Sequence, residues 1–392
     1  MNRPASGARR PRALPGVTRL GLAVAIAVLA VSASAQGATA PAVQAQAYIV
    51  QSSVDGHTLA ARRADAPRAM ASITKLMTAL VEIERGLSDP CDDVVTVPAV
   101  AARVGDSTLD LRAGQRISVR DLLIGTLVPS ANDAATTLAV AAGGSEARFV
   151  TLMNRKAAEL GLRGTHYRNP HGLDEPGHVS TARDTAVLVR DALRVPAIRH
   201  YAGMSRATLS DGRVVESTDN LLGRFGGLVG GKTGHTSDAG WSQAAFARKG
   251  GVGITAVVLG SPTEAQRDGD LAALLRFGLD SYRRMTVVDP GRTYATLPVG
   301  WGLAPVRVVA PRRIVRPTST DRPLTERVVV PGVLALPVAA GQRVGTVVVA
   351  DGSRVVARSP LVASESRSEP GAAGKGWWVT RRAVHNLVGL VS

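Results

Sequence analysis

Cysteine is almost absent from this chain. Cys91 is the only cysteine among 392 residues, so it can form neither an intramolecular disulfide nor a cysteine-based metal cluster. A lone cysteine is usually a packing residue, and we predict that role for Cys91, near a loop.

Aromatic residues are also scarce, at 3% of the chain, although the formal net charge is +16. From Thr286 onward, 14 basic residues stand against six acidic ones. These basic residues are scattered among Pro, Val and Gly without aromatic residues between them, which is not typical of a nucleic-acid module. We therefore predict no nucleic-acid partner, and we expect the charge to suit an anionic envelope or membrane surface.

The N-terminal apolar run, Leu20 to Val31, is too short to be a confident membrane span. It follows five arginines and no acids, and it precedes the small-residue pattern Ala33–Ala35. This arrangement predicts a cleaved secretory signal peptide over residues 1–35, with an uncleaved anchor as the alternative. In both cases we expect an exported protein that works in the periplasm or on the outer face of the cytoplasmic membrane.

Helical and strand patterns alternate in residues 42–285. Helical spacing predicts helices from Ser72 to Gly86 or Pro90, and over residues 119–127, 133–143, 149–160, 180–193 and 264–284. Strands are predicted at 47–50, 59–61, 240–248 and 252–260. Helices in the middle with strands at both ends indicate an α+β domain.

A second unit follows the turn at Asp289–Gly291. Short alternating runs over residues 290–362 predict a small all-β domain, and residues 363–376 have the composition of a linker. The tail, residues 377–392, places Trp377 and several aliphatic residues on one helical face. Such a tail is too short to cross a bilayer, but it can lie on one, and we expect peripheral membrane association there. A solvated or domain-packed helix is the alternative.

Lysine is scarce too, and its placement is informative. Forty-two of the 47 basic residues are arginine, yet lysine stands at two motif positions, 75 and 232. Arginine cannot act as a base, whereas a desolvated lysine can. Ser72 and Lys75 are three residues apart at a helix start, so the amine reaches the hydroxyl and can activate it as a nucleophile. A simple helix cap at Ser72 is the alternative.

Two further motifs follow in order. Ser130 and Asn132 lie in a turn between helices, where the hydroxyl can pass a proton to a leaving amine and the amide can hold a carbonyl. Lys232–Gly234 precedes an apolar strand. We expect Gly234 to let a substrate backbone lie close to the strand edge, with Lys232 adding positive potential and Thr233 a hydroxyl. Turn chemistry and a glycine-rich hairpin are the alternatives.

Together the three motifs resemble the penicillin-binding-protein and serine β-lactamase superfamily. The chain is more closely similar to D-alanyl-D-alanine carboxypeptidases of the penicillin-binding-protein 5 type. The resemblance covers about residues 45 to 285, and the segments that carry it are Ala71–Leu80, Ser130–Ala135, Asn169–Leu173, Ala182–Asp184 and Lys232–Gly240. It implies a transpeptidase-like domain with an antiparallel sheet and a helical cluster. It also implies a peptidoglycan stem peptide as substrate, β-lactam antibiotics as covalent inhibitors, and no metal or cofactor.

The resemblance also implies roles for the motif residues. Ser72 would attack the carbonyl between two D-alanines with Lys75 as base, and Ser130 with Lys232 would protonate the departing D-alanine. Backbone N–H groups of Ser72 and His235 would form the oxyanion hole. Asn132, Thr233 and Gly234 complete the predicted substrate-binding set.

Some positions depart from the family pattern. Met70 replaces a common proline, and Asp219 precedes Asn220 where some members carry a basic residue, which leaves the carboxylate contact unassigned. A class A β-lactamase is less favoured because we expect no Glu-x-x-x-Asn segment between Asn132 and Lys232. A D,D-endopeptidase and a non-catalytic wall-binding scaffold on the same fold remain open.

Overall fold

The computed structural model describes residues 24–31, 39–86 and 93–388. Cys91, the leader arginines and the predicted cleavage pattern Ala33–Ala35 lie outside these residues. Strand β1, Val24–Val31, takes most of the predicted leader's apolar run and pairs antiparallel with a strand of the second unit.

A five-stranded antiparallel sheet organises the first unit, with strand order β3-β2-β10-β9-β8. Its apolar residues alternate between two faces: Val257 packs towards a helical cluster and Val258 towards a single long helix. The strands of this unit are β2 Ala47–Ser52, β3 Thr58–Arg62, β4 Val94–Thr96, β5 Arg116–Ser118, β6 Arg206–Thr208, β7 Val214–Glu216, β8 Leu228–Thr236, β9 Gly240–Lys249 and β10 Val252–Ser261.

The helices follow the predicted positions closely. Ser118, Ser145 and Thr181 each accept a hydrogen bond from the backbone N–H three residues on, which fixes the starts of three helices. The helix that follows Ser72 ends with Gly86 as its C-cap, in the left-handed conformation. The helices are α1 Lys75–Arg85, α2 Val119–Leu127, α3 Asn132–Gly143, α4 Glu146–Glu159, α5 Ala182–Ala192, α6 Pro196–Ala202 and α7 Glu264–Asp280.

The second unit is built almost entirely of strands. A six-stranded sheet has the order β1-β15-β16-β17-β13-β12, and β11 pairs with β14. Its separate apolar core includes Val308, Val347 and Leu361. The elements are β11 Tyr282–Val288, β12 Thr293–Leu297, β13 Val306–Val309, β14 Ile314–Ser319, β15 Leu324–Pro331, β16 Arg343–Asp351, β17 Arg354–Ala363 and the C-terminal helix α8 Ala372–Val388.

Two predicted helix boundaries next to the second unit are wrong. Helix α7 ends at Asp280 and not near Arg284, because residues 282–288 form a strand that pairs with β14. The β-rich unit therefore begins before the predicted turn at Asp289. The tail helix begins at Ala372, so the last residues of the predicted linker, 372–376, are helical. Among the described helices, none is long and apolar enough to cross a membrane.

Ion pairs join the two units. The Arg322 guanidinium donates a hydrogen bond at 2.7 Å to Asp55, in the turn between β2 and β3, and another at 2.5 Å to Asp351. Next to it, His57 lies 2.8 Å from Asp321. Asp351 is fully buried, so the guanidinium of Arg322 supplies a charge that this carboxylate needs.

Candidate active site

The segment before α1 holds Ser72 in an unusual backbone. Residues Ala71–Thr74 form a single 3₁₀ turn, and Ala71 has a φ of 50°, in the left-handed region. The α-helix proper begins at Lys75, three residues later than predicted, because this turn replaces its first turn. Such strain persists only where surrounding packing enforces it, and it commonly marks functional positions. Ser72 is the second residue of this turn and is half-buried.

Lys75 is fully buried and its amine has three partners. Its nitrogen lies 2.7 Å from the Ser72 hydroxyl oxygen, and it donates to Asn132 Oδ1 at 2.6 Å and to the backbone carbonyl of His171 at 3.0 Å. Burial, followed by repulsion from Lys232, holds the pKa of Lys75 well below its usual range. Asp133 and Asp106 oppose this shift only partly. A neutral amine in contact with a serine hydroxyl is a general base for that hydroxyl.

The turn before α3 brings the second motif to the same place. Ser130 is buried and has a φ of 70°, which a non-glycine residue adopts only under constraint. Asn132 is held from two sides, because its side-chain amide donates to the Gly105 carbonyl at 2.9 Å and its backbone N–H to Ser107 at 2.7 Å. Its remaining oxygen therefore points to Lys75 and fixes the amine.

The third motif lies on β8. Lys232 is buried and donates to the Thr233 carbonyl at 3.2 Å, and burial lowers the pKa of Lys232 to about 7. The Thr233 hydroxyl contacts the hydroxyl of Thr218. His235 is exposed and stacks on Trp241 with ring centroids 4.0 Å apart.

Gly234 lies against the nucleophile turn. A Cβ atom at this position would lie 2.8 Å from the Met70 carbonyl oxygen and 3.0 Å from the Ser72 nitrogen. The missing side chain therefore makes room for this turn. This contact sets the backbone of Ser72 beside β8, next to His235.

The loop 169–175 has a structural role in the site that the sequence motifs did not predict. Its Gly172 has a φ of 93°, and a Cβ there would lie 2.0 Å from the Ala71 carbonyl oxygen. Thr78 on α1 donates to the Pro170 carbonyl, and Asp174 accepts from Thr236 at 2.6 Å. The loop thus joins α1 to the end of β8, and its own carbonyl at His171 holds Lys75. The signal for it was present in the run Asn-Pro-His-Gly-Leu.

Arg267 on α7 was also missed. It is 1% exposed and donates to Asp268 at 2.6 Å and to Glu264 at 3.3 Å. Its guanidinium lies 5.5 Å from the ring centroid of Trp241, and it interacts electrostatically with Lys232. The sequence did not indicate a fully buried cation near Lys232, because arginine is so common in this chain.

The expectation that no Glu-x-x-x-Asn segment precedes Lys232 is wrong, because Glu216 and Asn220 have this spacing. Glu216 ends strand β7, paired opposite Arg206, and is exposed. Asn220 donates its amide to Glu264 and Asp268 on α7, at 3.1 and 3.0 Å. The spacing therefore belongs to a strand end and a turn that binds α7.

A serine hydroxyl, a buried lysine that contacts it, and a second serine and lysine beside them define a serine hydrolase of the acyl-transfer class. The sequence matches the peptidase S11 family, D-alanyl-D-alanine carboxypeptidase, over residues 34–263. The chain belongs to this family. The family, the mixed helix-and-sheet fold and the serine peptidase class predicted from the sequence are therefore confirmed.

Individual relatives agree with this assignment. D-alanyl-D-alanine carboxypeptidase DacC of Escherichia coli is 32% identical over 373 residues, covering 90% of this chain and 92% of the relative. DacB2 of Mycobacterium tuberculosis is 36% identical over 217 residues, 53% of this chain and 72% of the relative. The structure of penicillin-binding protein 5 from Haemophilus influenzae is similar with a TM-score of 0.62 at 28% identity, covering 85% of this chain and all of the neighbour.

Proposed function

We propose that this protein removes the terminal D-alanine from peptidoglycan stem pentapeptides through an acyl-enzyme on Ser72. The observation that carries the proposal is the 2.7 Å contact between the desolvated Lys75 amine and the Ser72 hydroxyl. Two relatives support the substrate, because DacF of Bacillus subtilis and DacC of E. coli are both D-alanyl-D-alanine carboxypeptidases.

In the proposed reaction, the neutral Lys75 amine takes the proton of Ser72 as its oxygen bonds to the carbonyl carbon between the two D-alanines. The oxyanion accepts hydrogen bonds from the backbone N–H groups of Ser72 and His235, and each such donor contributes about 3 kcal/mol in related hydrolases. The C–N bond then breaks, and Ser130 gives its proton to the departing amine. Ser130 recovers a proton from Lys75, supported by the charge of Lys232. Water hydrolyses the ester and regenerates Ser72.

The substrate's terminal carboxylate needs positively charged groups near its binding position. Lys232 on β8 and the nearby Arg267 supply positive charge, and Thr233 supplies a hydroxyl next to Lys232. Arg267 is held by two carboxylates and a ring, which fixes its position before substrate binds. We assign the carboxylate contact that the sequence left open to Thr233, with Arg267 and Lys232 as the charges behind it.

Export and a membrane-surface tail complete the proposal. The leader pattern of residues 1–35 supports export. The tail helix contains no acidic residue, Trp377 is 65% exposed, and Arg381 lies over its ring at 5.4 Å. Aromatic and cationic side chains together suit the surface of an anionic bilayer. Sedimentation with anionic vesicles tests membrane association. We expect the full-length protein to sediment with the vesicles and a protein truncated after residue 371 to remain in the supernatant.

The substrate is tested by comparing a free stem pentapeptide with a cross-linked dimer, measuring released D-alanine and released monomer. A carboxypeptidase frees D-alanine from the pentapeptide and leaves the dimer intact. Cleavage of the dimer in preference would make the enzyme an endopeptidase. No turnover of either by a folded protein would favour the scaffold alternative.

A further inference from the structure

Asp219 is a buried carboxyl group that the roles above leave unassigned. It is 7% exposed and lies in the turn between β7 and β8. Its Oδ1 accepts a hydrogen bond from the Leu221 N–H at 2.9 Å. Its Oδ2 and the amide of Gln243 beside it are both buried without a hydrogen bond of normal geometry to the described residues. A buried, half-satisfied carboxylate is costly unless another charge compensates it.

Neighbouring residues fix the position of this carboxyl group from both sides. Before it, the hydroxyl of Thr218 contacts the hydroxyl of Thr233 on β8. After it, Asn220 donates to Glu264 and to an adjacent carboxylate on α7. The contacts of its two neighbours thus hold Asp219 between β8, the strand of Lys232–Gly234, and α7, the helix that carries Arg267.

The charges around Asp219 and Lys232 form one buried group. Lys232 is attracted by Asp219 and repelled by Arg267 and Lys75. Burial raises the pKa of Asp219; Arg267 opposes this shift by attraction, and Asp268 adds to it by repulsion. Without the Asp219 charge, the Lys232 ammonium would face two cations and keep one backbone hydrogen bond, to Thr233. Burial lowers the pKa of Lys232 to about 7, so its charge at neutral pH depends on these neighbours.

We propose that Asp219 is a positioning residue of the active site, whose buried carboxylate, set beside the motif strand, supplies the negative charge that keeps the Lys232 amine charged. It does not touch the substrate and acts only through Lys232. This inference rests on the proposed function, because the charge of Lys232 matters only if this site performs acyl transfer.

The sign of the effect follows from the charges. Removing the negative charge of Asp219 lowers the pKa of Lys232 further, so Lys232 loses its proton at a lower pH. An opposite charge at close range commonly shifts a pKa by about one unit or more. Activity that needs the Lys232 charge therefore declines earlier as the pH rises.

The test is the pH profile of kcat/KM for pentapeptide hydrolysis and of the second-order rate constant for penicillin acylation, in the Asp219→Asn protein. We expect the alkaline limb to move about one pH unit towards acid, with the plateau below it reduced by less than about tenfold. Asp219→Glu, which keeps the charge, should restore the limb. Asp211→Asn is the matched control, because the Asp211 side chain is 50% exposed and pairs with Arg213.

A uniform fall in rate with an unmoved alkaline limb would overturn the inference and make Asp219 a structural turn residue. If Asp219→Asn does not fold, Asp219→Ser removes the same charge and is measured in its place. A folded wild-type protein that penicillin does not acylate would contradict the proposed function, so the two failures are distinguishable.

Discussion

The Lys75 amine lies 2.7 Å from the Ser72 hydroxyl and is completely withdrawn from water. The two residues are one helical turn apart, so local geometry alone brings them together. Tertiary structure adds the rest, because the Asn132 oxygen and the His171 carbonyl hold the amine in place. Burial and the nearby Lys232 then favour its neutral form. Several consequences of this arrangement can be measured.

Replacing Lys75 by arginine should abolish the base while keeping a cation. Arginine does not deprotonate in proteins, so the penicillin acylation rate should fall by about 10³-fold or more. Lys156→Arg is the control: this lysine on α4 pairs at 2.6 Å with Glu84 in the last turn of α1, and its replacement should leave the rate unchanged within about twofold. Equal rates for Lys75→Arg and wild type would show that Lys75 is not the base.

A side chain at Gly172 should disturb the nucleophile. The Cβ of Gly172→Ala would lie 2.0 Å from the Ala71 carbonyl oxygen, so either the loop or the 3₁₀ turn must move. We expect a loss of more than about 2 kcal/mol in the free energy of unfolding and a fall in acylation rate. Gly161→Ala separates the two causes, because Gly161 has a similar φ of 73° but open space around it. It should cost about 1 kcal/mol and leave acylation intact.

Glu82 on α1 should make stability depend on pH. It is 1% exposed, and burial, aided by Asp93, raises its pKa to about 7. A raised folded-state pKa stabilises the fold below the unfolded value of 4.5, and that contribution is lost as the pH rises through 7. Glu82→Gln should therefore raise the free energy of unfolding at pH 8 by about 3 kcal/mol, seen as a higher melting temperature, and change it little at pH 5. An equal effect at both pH values would contradict this account.

Arg322 should couple the two units. Arg322→Ala leaves the fully buried Asp351 without its 2.5 Å partner and frees Asp55 from the second unit. We expect a loss of about 3 kcal/mol, seen as a lower midpoint in urea. Arg313→Ala is the control, because this exposed arginine lies 3.8 Å from Asp289, and its loss should cost under about 1 kcal/mol. If both variants unfold at the same midpoint, the ion pairs do not join the units.

Much of the fold was predictable because its signals are local. The α2 bounds, Val119 to Leu127, and the strands either side of Gly250–Gly251 agree with the sequence pattern. Boundaries failed where tertiary pairing decides the structure. Residues 282–284 continue the helical pattern of α7, but their backbone belongs to a strand, 282–288, that pairs with β14.

The site was predictable as a set of motifs and not as a set of contacts. Ser72, Lys75 and Asn132 were identified from their order and spacing, and the structure joins them through one amine. The backbone carbonyl of His171 left no signal of its own, since every residue has one. Arg267 and Asp219 were not identified as parts of the site because only burial distinguishes them from the surface charges of this chain.

The most direct test of the account is the intact mass of the protein from Gln36 onward after brief exposure to penicillin, for wild type and Ser72→Ala. The account predicts one adduct of the antibiotic's mass on wild type and none on the variant. An adduct on Ser72→Ala, or none on folded wild type, would contradict the assignment of Ser72 as the nucleophile.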